Sequence, residues 1–435
     1  MTQTLTLFEH DFTEGFDWTD ADLATIERLN SATGTEILRA TVRRGRRELQ
    51  ARQQVGVVHL GARTLQILPK MYRPADPQPA RIREATRNLL HLLGYAHGLT
   101  IREHGLAALA QQDAEWFEIL TGLFATHLRE EWQRGAIRRY KTLSDERTCL
   151  QGAWRIGDQI RRPERRHIFS VTCDEFTSDN PINRILRFVV ERLWRRTRSA
   201  HNRQILGHLR EWMDEVTLLT SVSVADADPD GLGRFGQPYK PLLGLARLFL
   251  EGKTIQMAVG HRESFAFVFD MNRLFEGFVA GFLARHRGEV LPPGLSDCRL
   301  FPQTRSAARC LVTQSGRPGF RLEPDLAFRR GDAFPLLIDT KYKRLRPSEG
   351  TLGISQGDMY QMFAYARRYV CPHVLLLYPQ TAEMPQGLRS RFLFEDAPGG
   401  GVTAATIDLQ DEFYTTAGRQ RLIVRLRTLL EGMDA

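Results

Sequence analysis

In the C-terminal part of the chain, the spacing of apolar residues changes between helical and strand periodicity. Apolar residues recur every three or four positions over residues 271–282 and 356–369, which predicts two amphipathic helices. Residues 321–328 and 334–342 predict the strands of a hairpin, and residues 374–378 predict a buried strand. The order helix, strand, strand, helix, strand is typical of a compact α/β layer.

The N-terminal and middle segments have different patterns. Two hairpins are predicted between residues 36 and 70, and the first of them has a basic tip at residues 43–47. A proline-rich break begins at Pro74, and the apolar spacing after it is mainly helical. The fold class that we predict is α/β, or α+β for the chain as a whole. Its parts are a β-rich domain at 1–79, a basic helical region at 80–254 and an α/β domain at 255–435.

Charged residues at one end of the C-terminal hairpin form a candidate metal site. The hairpin is expected to bring Asp325 and Asp339 side by side, and period-2 alternation places Lys341 on the same face as Asp339. Two carboxylates can hold Mg²⁺, with Mn²⁺ as the alternative, and a lysine beside them can align or deprotonate a water molecule. An isolated acid-x-Lys string is more often a solvated strand edge, so the surrounding elements must decide.

Both predicted helices offer further polar groups to this hairpin. Asp358, Gln361 and Tyr365 share a face of the second helix that is separate from its apolar stripe. That face can point towards the carboxylates or towards a DNA backbone. Glu276 lies at the edge of the apolar stripe of the first helix, where it is either a further acid of the site or an ordinary flanking charge.

Three other strings lack the context that their chemistry requires. Residues 251–253 repeat the acid-x-Lys pattern, but they follow a predicted helix rather than lying on a strand. Residues 231–236 match the dinucleotide fingerprint, but they follow a polar turn. Residues 252–254 resemble the end of a P-loop, but Arg247 occupies the position of its first glycine. We therefore expect that any nucleotide hydrolysis must come from a partner.

Positive charge is concentrated in one part of the chain. The whole chain has 60 Lys and Arg against 51 Asp and Glu, a formal net charge of +9. Residues 129–210 contain 19 basic and 10 acidic residues, so this segment carries the excess. Arginine clusters suit phosphate contacts, although each can equally be a solvated helix face. The candidate DNA contacts are Arg161, Arg162, Arg165, Arg166, Arg195 and Arg196.

The composition also bears on the compartment of the protein. No apolar run approaches the length that spans a bilayer, and the first residues do not have the pattern of a signal peptide. The five cysteines form no Cys-x-x-Cys pair, which argues against structural zinc and against a disulfide framework. We therefore expect a cytoplasmic protein without membrane contact.

From about residue 265 to residue 409, the chain resembles a PD-(D/E)xK nuclease domain. Asp325, Asp339 and Lys341 match its core motif, and Gln361 and Tyr365 match the Gln-x-x-x-Tyr motif of its RecB-like branch. The acid of the first core helix corresponds to Glu276.

More specifically, the chain resembles the McrC family, the nuclease subunits of McrBC modification-dependent restriction systems. The strings that carry this resemblance extend over nearly the whole chain. They are VGVVHL at 55–60, ILPK at 67–70, DNPINRIL at 179–186, YKPLL at 239–243 and LIDTKYK at 337–343. The length of 435 residues is expected to exceed that of the family, with the excess near the N-terminus and in the middle.

The resemblance implies a Mg²⁺-dependent DNA endonuclease of a type IV system directed against modified cytosine. Asp325, Asp339 and the Thr340 carbonyl would bind the metal, Lys341 would position or activate water, and Gln361 and Tyr365 would orient DNA or support the metal shell. The implied partner is a hexameric AAA+ GTPase of the McrB type, which this subunit stimulates.

Two other readings of the chain stay open. It can be a stand-alone RecB-like repair nuclease, or a non-enzymatic adaptor of an AAA+ ring. The N-terminal β-rich region is the expected docking element, and its basic tip either enters the pore of the ring or is a plain solvated turn. The tip consists of Arg43, Arg44, Arg46 and Arg47.

Overall fold

The computed structural model describes most of the chain. The described residues are 3–13, 18–43, 45–61, 63–73, 79–98, 115–161, 163–165, 167–227, 239–259, 262–302, 309–314, 317–346, 348–381, 384, 387–395, 400–410 and 413–433. They form two units by contact, one of residues 1–117 with 252–435 and the other of residues 118–251. In the described part, no helix is long and apolar enough to cross a membrane.

The strands are numbered in chain order. They are β1 Gln3–Phe8, β2 Leu38–Arg43, β3 Arg46–Ala51, β4 Gln54–Leu60, β5 Arg63–Leu68, β6 Arg139–Arg147, β7 Ala153–Trp154, β8 Phe169–Thr177, β9 Lys253–Val259, β10 Arg262–Asp270, β11 Arg299–Pro302, β12 Arg309–Gln314, β13 Arg317–Leu322, β14 Leu326–Arg330, β15 Ala333–Thr340, β16 His373–Pro379, β17 Arg389–Leu393 and β18 Gly401–Ile407.

The helices are numbered in the same way. They are α1 Asp20–Thr33, α2 Pro79–Ala96, α3 Trp116–Gly135, α4 Ile156–Ile160, α5 Pro181–Trp194, α6 Ala200–Trp212, α7 Lys240–Glu251, α8 Met271–Arg285, α9 Arg287–Val290, α10 Gln356–Tyr369 and α11 Thr416–Glu431.

The first sheet of the larger unit joins the N-terminal strands to two strands from beyond the smaller unit. Its strand order is β1-β5-β4-β10-β9, in which β1 is parallel to β5 and the other neighbours are antiparallel. Strands β9 and β10 come from the segment that the sequence division placed in the C-terminal domain. The pairing of β4 with β10 needs Gly56, because a Cβ there would collide with the carbonyl oxygen of Phe267.

The second sheet of the larger unit has the order β11-β14-β15-β16-β18-β17. Strands β14 and β15 form an antiparallel hairpin, and β15, β16 and β18 run parallel. Helix α10 covers one face, where Met362 and Tyr365 pack with Leu337, Val374 and Leu376 in one buried cluster. Because β15 is buried on both faces, it is apolar almost throughout. Its last two residues are Asp339 and Thr340.

The smaller unit combines helices with one exposed sheet. Helix α5 begins at Asn180, whose side chain accepts a hydrogen bond from the amide of Asn183, and buries Ile185, Leu186 and Val189. The sheet order is β6-β8-β7, and most side chains of β6 are exposed.

The α/β class predicted from the sequence is confirmed, and helix α10 has the predicted bounds. The predicted strand 321–328 is wrong in one respect, because it is two strands separated by residues 323–325. Pro324 lacks an amide hydrogen and interrupts the ladder there. The dinucleotide-like string at 231–236 lies outside the described residues.

Candidate active site

Asp325 and Asp339 lie opposite each other at one end of the β14–β15 hairpin. Leu326 pairs with Ile338 across the β14–β15 ladder, so Asp325, which immediately precedes β14, lies opposite Asp339. The Oδ2 atom of Asp325 accepts hydrogen bonds from the amide and the hydroxyl of Thr340, both at 2.7 Å. These bonds fix one carboxylate at the C-terminal end of a parallel strand, where ligand sites of α/β sheets commonly form.

Lys341 follows the end of β15 and points to the same site. Its amide donates to the carbonyl oxygen of Leu377 at 2.9 Å, so the backbone stays aligned with β16 beyond the last strand residue. Its Nζ lies 2.6 Å from Asp339 Oδ2 and donates to Gln361 Oε1 at 3.1 Å. The structure thus brings together the acid and the lysine that strand alternation had placed on one face.

Helix α10 supports Lys341 through a short series of hydrogen bonds. Gln361 Nε2 donates to the Tyr365 hydroxyl at 2.8 Å, and that hydroxyl donates to the Glu323 carbonyl at 3.1 Å. Tyr365 is buried, and the bond from its hydroxyl to the Glu323 carbonyl supports the loop before Asp325. On the same helix, Asp358 pairs with Lys343 at 2.7 Å.

Burial and mutual repulsion control the charges of the two aspartates. Burial raises the pKa of Asp339 to about 7, with a further contribution from the charge of Asp325, and Lys341 opposes this shift. The negative charge of Glu276 adds a smaller contribution in the same direction, so that α8 residue acts electrostatically on the site. Burial also raises the pKa of Asp325, against the hydrogen bonds from Thr340.

Lys341 is a charged group in this arrangement. Burial opposes its protonation, but the negative charges of Asp339, Asp325 and Asp358, with the hydrogen bond to Asp339, together outweigh burial and raise the pKa of Lys341 above its ordinary value. A lysine held in this state can position a water molecule or stabilise negative charge, but it is a poor proton acceptor. The arrangement therefore favours alignment over deprotonation among the two roles open from sequence.

The donor set fits a hard divalent cation. Asp325 and Asp339 offer carboxylate oxygens, which Mg²⁺ prefers. The Oδ2 atom of Asp339 is buried and has no directed hydrogen-bond partner among the described residues, although the Lys341 ammonium is close enough for an ion pair. In the part of the chain that the structure describes, no three His, Cys, Asp or Glu side chains form a metal-holding group, so the protein would supply two carboxylates.

The second acid-x-Lys string and the P-loop-like string lie on elements that do not suit their chemistry. Glu251 ends helix α7 and pairs with Arg247 at 2.6 Å, as expected for a helix-end charge. Gly252 is followed by strand β9, whereas a P-loop leads into a helix.

The predicted DNA-contacting arginines are mostly paired within the smaller unit. Arg195 pairs with Glu191 at 2.9 Å and Arg165 with Glu146 at 3.2 Å, while Arg161 is largely exposed and lies 3.9 Å from Asp158. Burial, with the charges of Arg192 and Arg195, lowers the pKa of Arg196 to about 9, so this side chain is charged at neutral pH but partly withdrawn from solvent. Arg162 and Arg166 lie outside the described residues.

The described arginines at the basic tip of the β2–β3 hairpin are exposed, but their contacts differ. The Arg43 guanidinium stacks over the Phe12 ring at 4.7 Å, and Arg47 forms an ion pair with Asp20. Arg46 is exposed, and Arg44 lies outside the described residues.

Sequence reasoning missed the residues directly behind the site. Tyr342 is buried, and its hydroxyl donates to Glu9 Oε2 at 2.6 Å, although 333 positions separate the two residues. The string LIDTKYK contained Tyr342 as part of a resemblance, but nothing in the sequence connects it with Glu9.

A family model described as "McrBC 5-methylcytosine restriction system component" matches residues 49–379. The chain belongs to the McrBC family. The resemblance to the McrC members of this family is thereby confirmed, and membership implies nuclease activity and a divalent metal in general terms. No curated protein matches the chain.

Two solved structures of McrBC complexes are similar to the chain. One is the refined half-complex from the tetradecameric assembly of Thermococcus gammatolerans McrB AAA+ hexamers with bound McrC, at 22% identity and a TM-score of 0.68. It covers 99% of this chain and 100% of that chain, so the expected excess of length is absent from this comparison. The other is the cryo-EM structure of the Thermococcus gammatolerans McrBC complex, at 26% identity and a TM-score of 0.50, covering 66% of this chain and 88% of that chain.

Proposed function

We propose that the chain is the nuclease subunit of a McrBC-type restriction system and cuts DNA at a PD-(D/E)xK site in the cytoplasm. The observation that supports this most directly is the convergence of Asp325, Asp339 and Lys341 at the end of β15. A buried acid pair beside a charged lysine contributes little as a stability device, because burying like charges is unfavourable. Because the chain belongs to a restriction-system family, we assign this arrangement to the cleavage of phosphodiester bonds.

Each residue then has a role that follows from its contacts. Asp325 and Asp339 would hold Mg²⁺, joined by the Thr340 carbonyl, and the ion would supply charge stabilisation at the phosphate and a more acidic water. Lys341 orients the attacking water and offsets the charge that develops on phosphorus. Gln361 holds Lys341, and Tyr365 holds the loop that carries Asp325. Glu276 tunes the carboxylate pair through its charge.

Substitution of Lys341 by alanine tests this assignment. We expect Lys341→Ala to lower DNA cleavage in Mg²⁺ by about 100-fold or more, because it removes a preorganised charge at the reacting phosphate. Glu251→Ala is the matched control, since it alters the other acid-x-Lys string at a helix end. Wild-type cleavage by Lys341→Ala would refute the nuclease assignment at this site.

We also propose an AAA+ GTPase of the McrB type as partner. The similar solved structures contain McrB AAA+ hexamers with bound McrC, and the proposed DNA-cutting chain has no recognisable nucleotide site in its sequence. Retention of GTPase stimulation by Lys341→Ala would separate the enzyme from an adaptor whose cutting is secondary. Robust cutting by the purified chain without any partner would favour the stand-alone repair nuclease instead.

The β2–β3 tip remains our proposed docking element, and its test must leave the fold intact. Deleting residues 1–73 would remove β1, β4 and β5 from a sheet that also contains β9 and β10. Charge reversal of the exposed Arg46 is the cleaner change, with Arg39→Glu as a control on the same hairpin outside the tip. Normal partner binding and GTPase stimulation by Arg46→Glu would exclude the tip and direct attention to the helical unit.

A further inference from the structure

A buried polar cluster lies directly behind the candidate active site. It contains Glu9, which follows β1, Lys70, which follows β5, and Tyr342, which is adjacent to Lys341. Their exposed fractions are 1%, 8% and 4%, so all three polar groups have been removed from water. The cluster links the first sheet of the larger unit to the residue after the proposed catalytic lysine.

The contacts within the cluster hold Tyr342 from two sides. Its hydroxyl donates to Glu9 Oε2 at 2.6 Å, and the Lys70 amide donates to the same oxygen at 2.9 Å. The Lys70 ammonium lies over the Tyr342 ring, 4.5 Å from its centroid. The ring of Phe275, which precedes Glu276 on α8, also lies near the Tyr342 ring, at a centroid distance of 6.0 Å.

Stability alone does not explain why this position is occupied by polar residues. Apolar side chains of similar volume commonly stabilise a protein as well as a buried ion pair does, because a buried pair loses its hydration. The Oε1 atom of Glu9 is buried and has no hydrogen-bond partner among the described residues, which adds to that cost. The hydrogen bond to Glu9 instead restricts the Tyr342 side chain to one geometry, because hydrogen bonds to a charged acceptor are strong and directional.

We propose that Glu9, Lys70 and Tyr342 are positioning residues for Lys341, so that the N-terminal sheet is a working part of the nuclease site. This inference rests on the proposed nuclease function. The side chain of Lys341 is held by Gln361 and by Asp339, and its amide is held by the Leu377 carbonyl. Tyr342 supplies a further anchor, because fixing its ring restricts the peptide that it shares with Lys341.

Tyr342→Phe and Glu9→Gln in the full-length chain, assayed with its AAA+ partner, test the proposal. Tyr342→Phe removes the hydroxyl that donates to Glu9, and Glu9→Gln replaces the charged acceptor with a weaker, neutral amide oxygen; both changes keep the side-chain shape. We expect the single-turnover rate of DNA cleavage to fall roughly 10-fold to 100-fold, because small misplacements of a catalytic group have effects of this size. DNA affinity and GTPase stimulation should remain at the wild-type level, which a general loss of structure would not allow.

Tyr72→Phe is the matched control. Tyr72 is also buried, two residues beyond Lys70, but its hydroxyl has no hydrogen-bond partner among the described residues. This variant should cleave at the wild-type rate. The double variant Glu9→Gln/Tyr342→Phe should be no slower than the slower single variant, because both changes act on the same bond.

The outcomes separate this inference from the proposed function. Wild-type cleavage by Tyr342→Phe and Glu9→Gln, with cleavage abolished by Lys341→Ala, would overturn the positioning role and leave the nuclease assignment intact. Cleavage by Lys341→Ala at the wild-type rate would overturn both. Equal loss of cleavage, DNA affinity and GTPase stimulation in Tyr342→Phe would assign the cluster to folding alone.

Discussion

Asp339→Asn should stabilise the metal-free protein above neutral pH and abolish DNA cleavage. Burial and the charge of Asp325 raise the pKa of Asp339 from its ordinary value of 3.8 to about 7. Since each pKa unit corresponds to about 1.4 kcal/mol, ionised Asp339 destabilises the folded state by about 4 kcal/mol. Asparagine has the shape of the protonated acid and no charge, so the variant avoids this penalty.

The sign of the effect determines its pH window. The unfolded chain releases the proton near pH 4, whereas the folded chain keeps it until about pH 7. Stability of the wild type should therefore fall as pH rises from 4 to 7 and stay reduced above it. The gain in Asp339→Asn should be small near pH 4 and largest at pH 8, where it approaches about 4 kcal/mol.

Hydrogen exchange of the β15 and β16 amides in EDTA measures this gain for the sheet that carries the site. Added Mg²⁺ should protect the wild type, because binding only to the folded state stabilises it, and should have less effect on the variant. Asp358→Asn is the control, since the hydrogen bonds of Asp358 with Lys343 and Ser355 outweigh its burial and lower its pKa. A variant less stable than the wild type at pH 8, or one that still cleaves DNA, would refute this account.

Three further predictions concern other parts of the chain. Gly56→Ala should destabilise the first sheet by about 2 kcal/mol or more in urea unfolding, because the added methyl collides with Phe267, whereas Gly357→Ala meets open space and should be neutral. Asp179→Ala should cost the smaller unit about 2 kcal/mol, since it removes bonds to Arg184 and Thr217. These bonds hold the pKa of Asp179 well below its usual range, so their contribution is fully present above about pH 4 and is lost only in strong acid, as the pH falls towards that lowered pKa; urea titrations at pH 7 and pH 2 should show the loss. DNA binding by the chain should weaken steeply with salt and depend little on sequence, which competition with unrelated duplexes would check.

The two aspartates, the lysine and the helix that faces them could be read from the sequence. Periodicity depends only on local order along the chain, so strand alternation put Asp339 and Lys341 on one face and helical spacing put Gln361 and Tyr365 on another. The structure places these groups within hydrogen-bonding reach of one another. The break at Pro324 was less visible, because strand pairing on each side of it depends on partners elsewhere in the chain.

What the sequence by itself determined was the class of fold, the family and the spacing of the acidic and basic residues at the end of β15, because each is encoded in short strings with a fixed spacing. Only the tertiary structure decided that β9 and β10 complete the N-terminal sheet, and that Glu9 and Lys70 lie behind Tyr342. Pairings between residues hundreds of positions apart leave no periodic trace, since they depend on which strand edges and buried polar groups meet once the chain is folded. The charge state of Asp339 is decided in the same way, because burial and the nearby carboxylates, rather than its neighbours in sequence, raise its pKa.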